Sequence, residues 1–128
     1  KYLNQYTRSR QDAANRYMGL LRNVDEIVLP KEELYSTHVY HQFTIQVKKR
    51  DLLKDYLESK GIPSMIYYPY PIEKHAAFRT RVVKRVETPN ALRLANEVLS
   101  LPMHTELKVE EQIYISETIK EFMVKNRR

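Results

Sequence analysis

The chain has 128 residues, the size of one domain, and 42% of them are hydrophobic, enough for a real core. It carries a net charge of +6 and no cysteine, which excludes disulfides and thiolate metal centres. No apolar run approaches the ~20 residues of a membrane span and no signal peptide is visible, so neither a membrane partner nor secretion is expected.

A cysteine-free chain is compatible with the reducing cytoplasm, which is the expected location. Three Phe and no Trp leave ten Tyr to fill part of the core. A buried tyrosine needs a partner for its hydroxyl, so this composition predicts a core that is wet at an interface or cleft. The positive charge is equally consistent with nucleic-acid phosphates, with a small anion such as a nucleotide sugar, and with a merely basic surface.

The first predicted element is a helix over 2–21. Leu3, Tyr6, Arg10, Ala13, Tyr17 and Leu20 recur at three- and four-residue steps, and Ala14 and Leu21 widen the stripe. A stripe this thin, rich in Tyr and Ala, is expected to lean on a neighbour. Because the chain begins at Lys1, inside this pattern, its start is expected to be a cut.

Val24 to Leu29 reads as a short extended segment stopped by Pro30. Val39 to Val47 alternates strictly and predicts a strand, with Val39, His41, Phe43, Ile45 and Val47 on its apolar face. Its other face is polar but uncharged, which predicts a second layer or a cleft over it. His38 and His41, three apart, fall on opposite faces, which argues against a metal site, and His41 is expected in a core or an interface. Arg50 to Lys60 is an amphipathic helix with Leu52, Leu53, Tyr56 and Leu57 on one face, closed by Gly61 in a left-handed turn.

Pro63 to Ile66 reads as a second strand. Tyr67 to Phe78 is irregular, because Pro69 and Pro71 block both helix and central strand. Thr88-Pro89 is a helix start, with Thr88 as N-cap, and that helix is expected to run to about Leu99. The last helix is expected from Lys108 to Lys125, with Val109, Ile113, Ile115, Ile119, Phe122 and Met123 inward. Together these elements predict an α+β fold: a small, mainly antiparallel sheet with helices packed on one face.

No phosphate-cradling glycine loop, Walker motif, Rossmann fingerprint or nucleophile elbow is present, and there are only two glycines in all. The segment Tyr67-Tyr68-Pro69-Tyr70-Pro71 stands out. Three rings on a stiff loop directly after a strand suit recognition of a sugar or base, whereas a core reading makes the same rings filler.

Tyr40-His41-Gln42-Phe43-Thr44-Ile45, Arg50-Asp51 opening a helix, Gly61-Ile62-Pro63, the tyrosine-proline loop and Leu99-Ser100-Leu101-Pro102-Met103-His104 occur in an order that resembles the C-terminal domain of the DegT/DnrJ/EryC1/StrS family. The resemblance covers nearly the whole chain. It implies the small domain of a fold type I transferase dependent on pyridoxal phosphate, with residues 1–22 as the helix joining two domains and the large cofactor-binding domain absent. It implies transfer of an amino group, usually from glutamate, to a nucleotide-linked keto-sugar, in cell-surface polysaccharide or glycan biosynthesis. The active site is implied to lie at a homodimer interface. The Schiff-base lysine and the cofactor grip are expected outside these 128 residues, so the fragment alone is expected to be inactive and to bind no pyridoxal phosphate.

The resemblance assigns substrate-facing roles to Tyr67 and Tyr68, where the family commonly reads His-Tyr-Pro, and a hydrogen-bonding role to His75. Glu73 departs from the family's Leu-His-Lys-Gln stretch, placing an acid where a neutral or cationic side chain is usual. Two alternatives stay open: a non-catalytic or dehydratase relative of the same family, and a basic nucleic-acid-binding module. Against the latter, Lys and Arg are scattered and the Tyr do not alternate as a stacking platform.

Overall fold

A computed structural model describes residues 1–78 and 87–127. Helix α1, Leu3–Leu21, is followed by strand β1, Ile27–Val28, and strand β2, Phe43–Val47. Helix α2 spans Arg50–Ser59, helix α3 Pro89–Glu97, strand β3 Val98–Leu101, and helix α4 Val109–Lys125. The three strands form an antiparallel sheet in the order β1-β2-β3, with Ile27 opposite Val47 and Ile45 opposite Leu99.

One face of the sheet carries Ile27, Phe43, Ile45, Val47, Leu99 and Leu101, and this face is the core. Ala14, Tyr17 and Leu21 of α1, Leu53 and Leu57 of α2, and Ile115, Ile119, Phe122 and Met123 of α4 join the same buried cluster. The opposite face holds Thr44 and Gln46 of β2, both half-buried, and it is covered in part as the uncharged pattern predicts. Arg93 of α3 donates to Gln46 Oε1 at 3.1 Å. Ser100 uses its backbone N–H and C=O on Met65, so its side chain meets Thr44 across β2–β3, with Oγ to Oγ1 at 2.8 Å.

Helix α2 ends as the sequence predicts. Gly61 has φ 73°, Ile62 N–H donates to Leu57 O at 2.9 Å and Gly61 N–H to Glu58 O at 2.9 Å. This is a Schellman closure, and Ile62 and Leu57 are both in the core cluster beside it. Leu52, expected inward, is 56% exposed, because the faces of α2 that meet α4 and β3 are those of Leu53 and Leu57.

Several expectations are corrected. The predicted strand over 39–47 begins only at Phe43. Tyr40 is left-handed at φ 47° and its N–H is bonded to His38 Nδ1 at 2.9 Å, which breaks the extended run before Phe43. Val39 and His41 are therefore exposed rather than in the core. Residues 63–66 pair only through the single bridge of Met65 with Ser100. The helix expected to reach Leu99 stops at Glu97, because Val98 turns extended at ψ 138° and the next residues pair with β2. Thr88 makes no capping bond at the start of α3.

On α4, Val109 and Ile113 are exposed, and Gln112 and Ser116 are buried in their place. The polar pair faces α1, where Gln112 Nε2 donates to Ala13 O at 2.7 Å and Arg16 Nε donates to Gln112 Oε1 at 2.7 Å. Of the ten tyrosines only Tyr17 and Tyr40 are buried. The rest of the apolar core is aliphatic, Phe or Met, so tyrosine is mostly a surface and cleft residue here.

Helix α1 is supported along half its length. Ala13, Ala14, Tyr17 and Leu21 are buried, whereas Leu3 is 75% exposed and Tyr2 and Tyr6 are exposed beside it. Arg10 marks the change, donating to the carbonyls of His41 at 3.0 Å and Met103 at 3.4 Å. Amide hydrogen exchange of the isolated chain should therefore divide inside one helix. Amides from Tyr6 to Arg10 are expected to exchange at least tenfold faster than those from Tyr17 to Leu21, and equal protection along α1 would contradict it.

Candidate functional site

The second face of the sheet opens into a cleft of about 640 Å³. Its floor is Val98 at the start of β3 with Ala91, Leu94 and Ala95 of α3, which share one helix face at three- and four-residue spacing. Its wall is the loop after the Met65 bridge: Tyr67, Tyr68, Tyr70, Pro71, Ile72, Glu73 and His75. The two small alanines leave the space that the rings border.

The local sequence explains why this loop is stiff. Pro69 and Pro71 fix two φ angles, and a 3-10 turn at Ile72–Lys74 follows, with Lys74 N–H on Pro71 O at 2.9 Å and His75 N–H on Ile72 O at 3.0 Å. The upstream end is anchored by Met65, whose N–H donates to Ser100 O at 3.0 Å. The floor is anchored by Arg50, a buried residue of α2 that donates from Nη1 to Val98 O at 3.0 Å and from Nε to Asp51 at 2.6 Å.

The structure brings Tyr67, Tyr68 and His75, the three residues singled out by sequence, to the wall of this one cleft. The rings of Tyr67 and Tyr68 meet edge to face at 5.8 Å, across a cis peptide bond, and Tyr70 meets His75 edge-on at 6.5 Å. Tyr67 is 37% exposed and Tyr68 73% exposed, which removes the reading of these rings as core filler. Their hydroxyls meet no partner among the described residues. Tyr70 was flagged only as part of the tyrosine-proline loop, and Ile72 and the floor residues were not assigned to a site from sequence; the Ala91, Leu94, Ala95 spacing was the signal available.

Among the described residues the one carboxylate in the cleft wall is Glu73. The hydroxyl of Thr88 donates to Glu73 Oε1 across the mouth of the loop. That bond, then a backbone hydrogen bond and the nearby Lys74 charge, hold the carboxyl below its ordinary range. With the folded value lowered, the bond strengthens the loop above the usual carboxylate range and is lost as pH falls through the lowered value. No Lys or Arg lines the cleft among the described residues. The wall therefore suits an uncharged ring with hydroxyl or amide groups. It supplies neither a Schiff-base lysine nor a phosphate grip, so these residues do not by themselves fit pyridoxal phosphate.

A second cleft of about 590 Å³ lies between β1, β2 and the ends of α3 and α4. Two ion pairs lie in its wall, Arg93 on Glu97 at 3.1 Å and Arg127 on Glu26 at 3.0 Å. Among the described residues no cluster of His, Asp and Glu could hold a metal ion, and no helix is long and apolar enough to cross a membrane.

The model of the DegT/DnrJ/EryC1/StrS aminotransferase family matches residues 1–120. The chain belongs to this family. It is 42% identical over 123 residues to the pleiotropic regulatory protein of Geobacillus stearothermophilus, covering 94% of this chain and 33% of that protein. It is also 42% identical over 112 residues to a UDP-N-acetyl-3-dehydro-alpha-D-glucosamine 3-aminotransferase of Acidithiobacillus ferrooxidans, covering 88% and 29%. Among solved structures, S. venezuelae DesV superposes with TM-score 0.89 at 26% identity over 94% of this chain and 33% of that one. A family aminotransferase from Brucella abortus superposes with TM-score 0.86 at 31% identity over 94% and 32%. The chain thus spans about a third of the relatives it matches, and the fold is that of the corresponding third of the family.

Proposed function

We propose that the whole protein is a sugar aminotransferase that uses pyridoxal phosphate to move an amino group, from glutamate, onto a nucleotide-linked keto-sugar destined for a cell-surface polysaccharide or glycan. The observation that carries this reading is the aromatic cleft, in which Tyr67, Tyr68 and His75 face one ring-sized space. Support also comes from relatives whose names are nucleotide-sugar aminotransferases and from a related structure, ntda from Bacillus subtilis, with bound cofactor PMP. When bound, the cofactor supplies the electron sink for amino transfer; its lysine and phosphate grip belong to other parts of the protein on this reading. The contribution of the present residues is to bind and orient the sugar and to exclude water over it. A homodimer in the cytoplasm, with α1 as the connection between two domains, completes the proposal.

The second reading is a relative that binds a similar ligand without turning it over. It is favoured by the 42% identity to a protein named as a pleiotropic regulator. Both readings use the same cleft, and activity separates them.

The test is Tyr67→Phe and Tyr68→Phe in the full-length protein. Each change removes a hydroxyl and keeps a ring, so the loss should be about one hydrogen bond, ~1 kcal/mol, or about a fivefold rise in KM for the keto-sugar. Melting temperature should stay within one degree or so, since both rings are exposed. Wild-type constants in both variants would remove the cleft from the sugar site.

A further inference from the structure

Helix α3 starts in an unusual way. Thr88-Pro89 is the strongest helix-start signal in the chain, yet the hydroxyl of Thr88 caps nothing in its own helix. It donates instead to Glu73, fifteen residues earlier, on the wall of the tyrosine cleft. The first turn of α3 contains no acidic residue of its own. Glu73 thus brings an anion to the start of α3, near its partial positive charge, and is held there by a side chain that ordinarily does another task. The consequence for the cleft is that the carboxylate of Glu73, a half-buried residue, has a fixed position in its wall.

A carboxylate is an acceptor only. Thr88 uses Oε1, and the group keeps further lone pairs for a ligand. No Lys or Arg lines the cleft among the described residues, and Lys74, the neighbouring cation that favours the Glu73 carboxylate, is exposed to water outside it. A sugar ring that presents a hydroxyl or amide N–H to this position gains a charge-assisted hydrogen bond. A ring that presents a carboxylate meets like charge at close range. Two of the relatives are named for sugars that differ in this way, a 3-oxo glucosamine derivative and a 3-oxo glucuronate derivative.

We propose that Glu73, anchored by Thr88, is a specificity-determining residue that selects an uncharged keto-sugar ring and rejects a uronate. This rests on the sugar-aminotransferase reading and names the substrate class within it. Glu73→Gln is the informative change, because the amide oxygen still accepts from Thr88, so the loop keeps its shape and only the charge is lost. Thr88→Val is the complement, because it frees the carboxylate and leaves it charged.

The experiment is calorimetric titration of the full-length protein and both variants with UDP-N-acetylglucosamine and UDP-N-acetylglucosaminuronate, which differ in hydroxymethyl against carboxylate on the ring. The wild type should bind the neutral sugar about tenfold or more tightly, the scale of like-charge repulsion in a half-wet cleft. Glu73→Gln should bring the two affinities within about threefold by gaining the uronate. Thr88→Val should weaken the neutral sugar severalfold and keep the order of preference. An unchanged ratio in Glu73→Gln, or a wild type that prefers the uronate, overturns the inference. Binding of neither sugar overturns it as well; amino transfer to another keto-sugar by the same protein would then leave the proposed function standing, and its absence would remove both.

Discussion

Replacing Tyr17 by alanine is expected to lower the stability of the chain by about 3–5 kcal/mol, the usual loss for a large ring removed from a close-packed core. Tyr17 is fully buried, and its ring lies 5.0 Å from that of Phe43 at an interplanar angle of 33°. This ring contact joins α1 to the sheet. Its hydroxyl donates to Pro102 O at 3.1 Å, just past the end of β3. Burial, and then the Glu111 carboxylate, push that hydroxyl far above its ordinary value, so it stays a donor throughout the usable pH range. Tyr17→Phe should therefore cost only about 1 kcal/mol, one hydrogen bond with the ring kept. Urea unfolding of the two variants checks the pair: a loss below about 1.5 kcal/mol for the alanine variant would mean that α1 is not part of the cooperative core.

The second large effect is expected at Gln112. Its side chain is fully buried between α1 and α4 and makes a hydrogen bond at each end, to Ala13 O and from Arg16 Nε. Ser116, one turn on, and the alanines at 13 and 14 are small and buried, and they let the two helices approach. In so close a contact, Gln112→Ala leaves both a void and an unpaired guanidinium N–H, and about 2–4 kcal/mol should be lost. Gln112→Glu should be tolerated better than alanine, since the carboxylate fills the space and strengthens the Arg16 bond, although its second oxygen then faces the Ala13 carbonyl with no proton between them. Thermal melts of the three proteins should rank wild type, then Glu, then Ala, and the reverse order of the two variants would show that the void matters less than a buried charge.

Much of the architecture was legible because local signals agreed. The helix over 50–60 had a clean apolar face and a glycine at the required left-handed position, and the last helix had both periodicity and length. The tyrosine-proline loop was legible as a stiff, irregular, ring-bearing segment for a different reason: its two prolines forbid regular structure. Tyr67, Tyr68 and His75 were assigned this way and with the family resemblance, and the fold brings all three to one cleft wall. The floor of the same cleft was not found. Ala91, Leu94 and Ala95 look like any short helix face until β3 and the loop are in place around them.

Strand β3 was hidden for a related reason. Val98 to Leu101 continues the apolar run of α3 without a turn signal, and only pairing with β2 and the Arg50 bond to Val98 O decide that the helix ends at Glu97.

By itself, the sequence determined the α+β class, the closing turn of α2, the family and the irregular tyrosine-proline loop, because each rests on spacing or on residues with restricted backbone freedom. Tertiary structure decided which apolar residues are core: Val109 and Ile113 point outward while Gln112 and Ser116 are buried, since the approach of α1 rewards small and hydrogen-bonding side chains over bulk. It also decided the partner of Glu73. A hydroxyl and a carboxylate fifteen residues apart have no periodic relation in the chain, and only the folding of the loop against the start of α3 brings them within bonding distance.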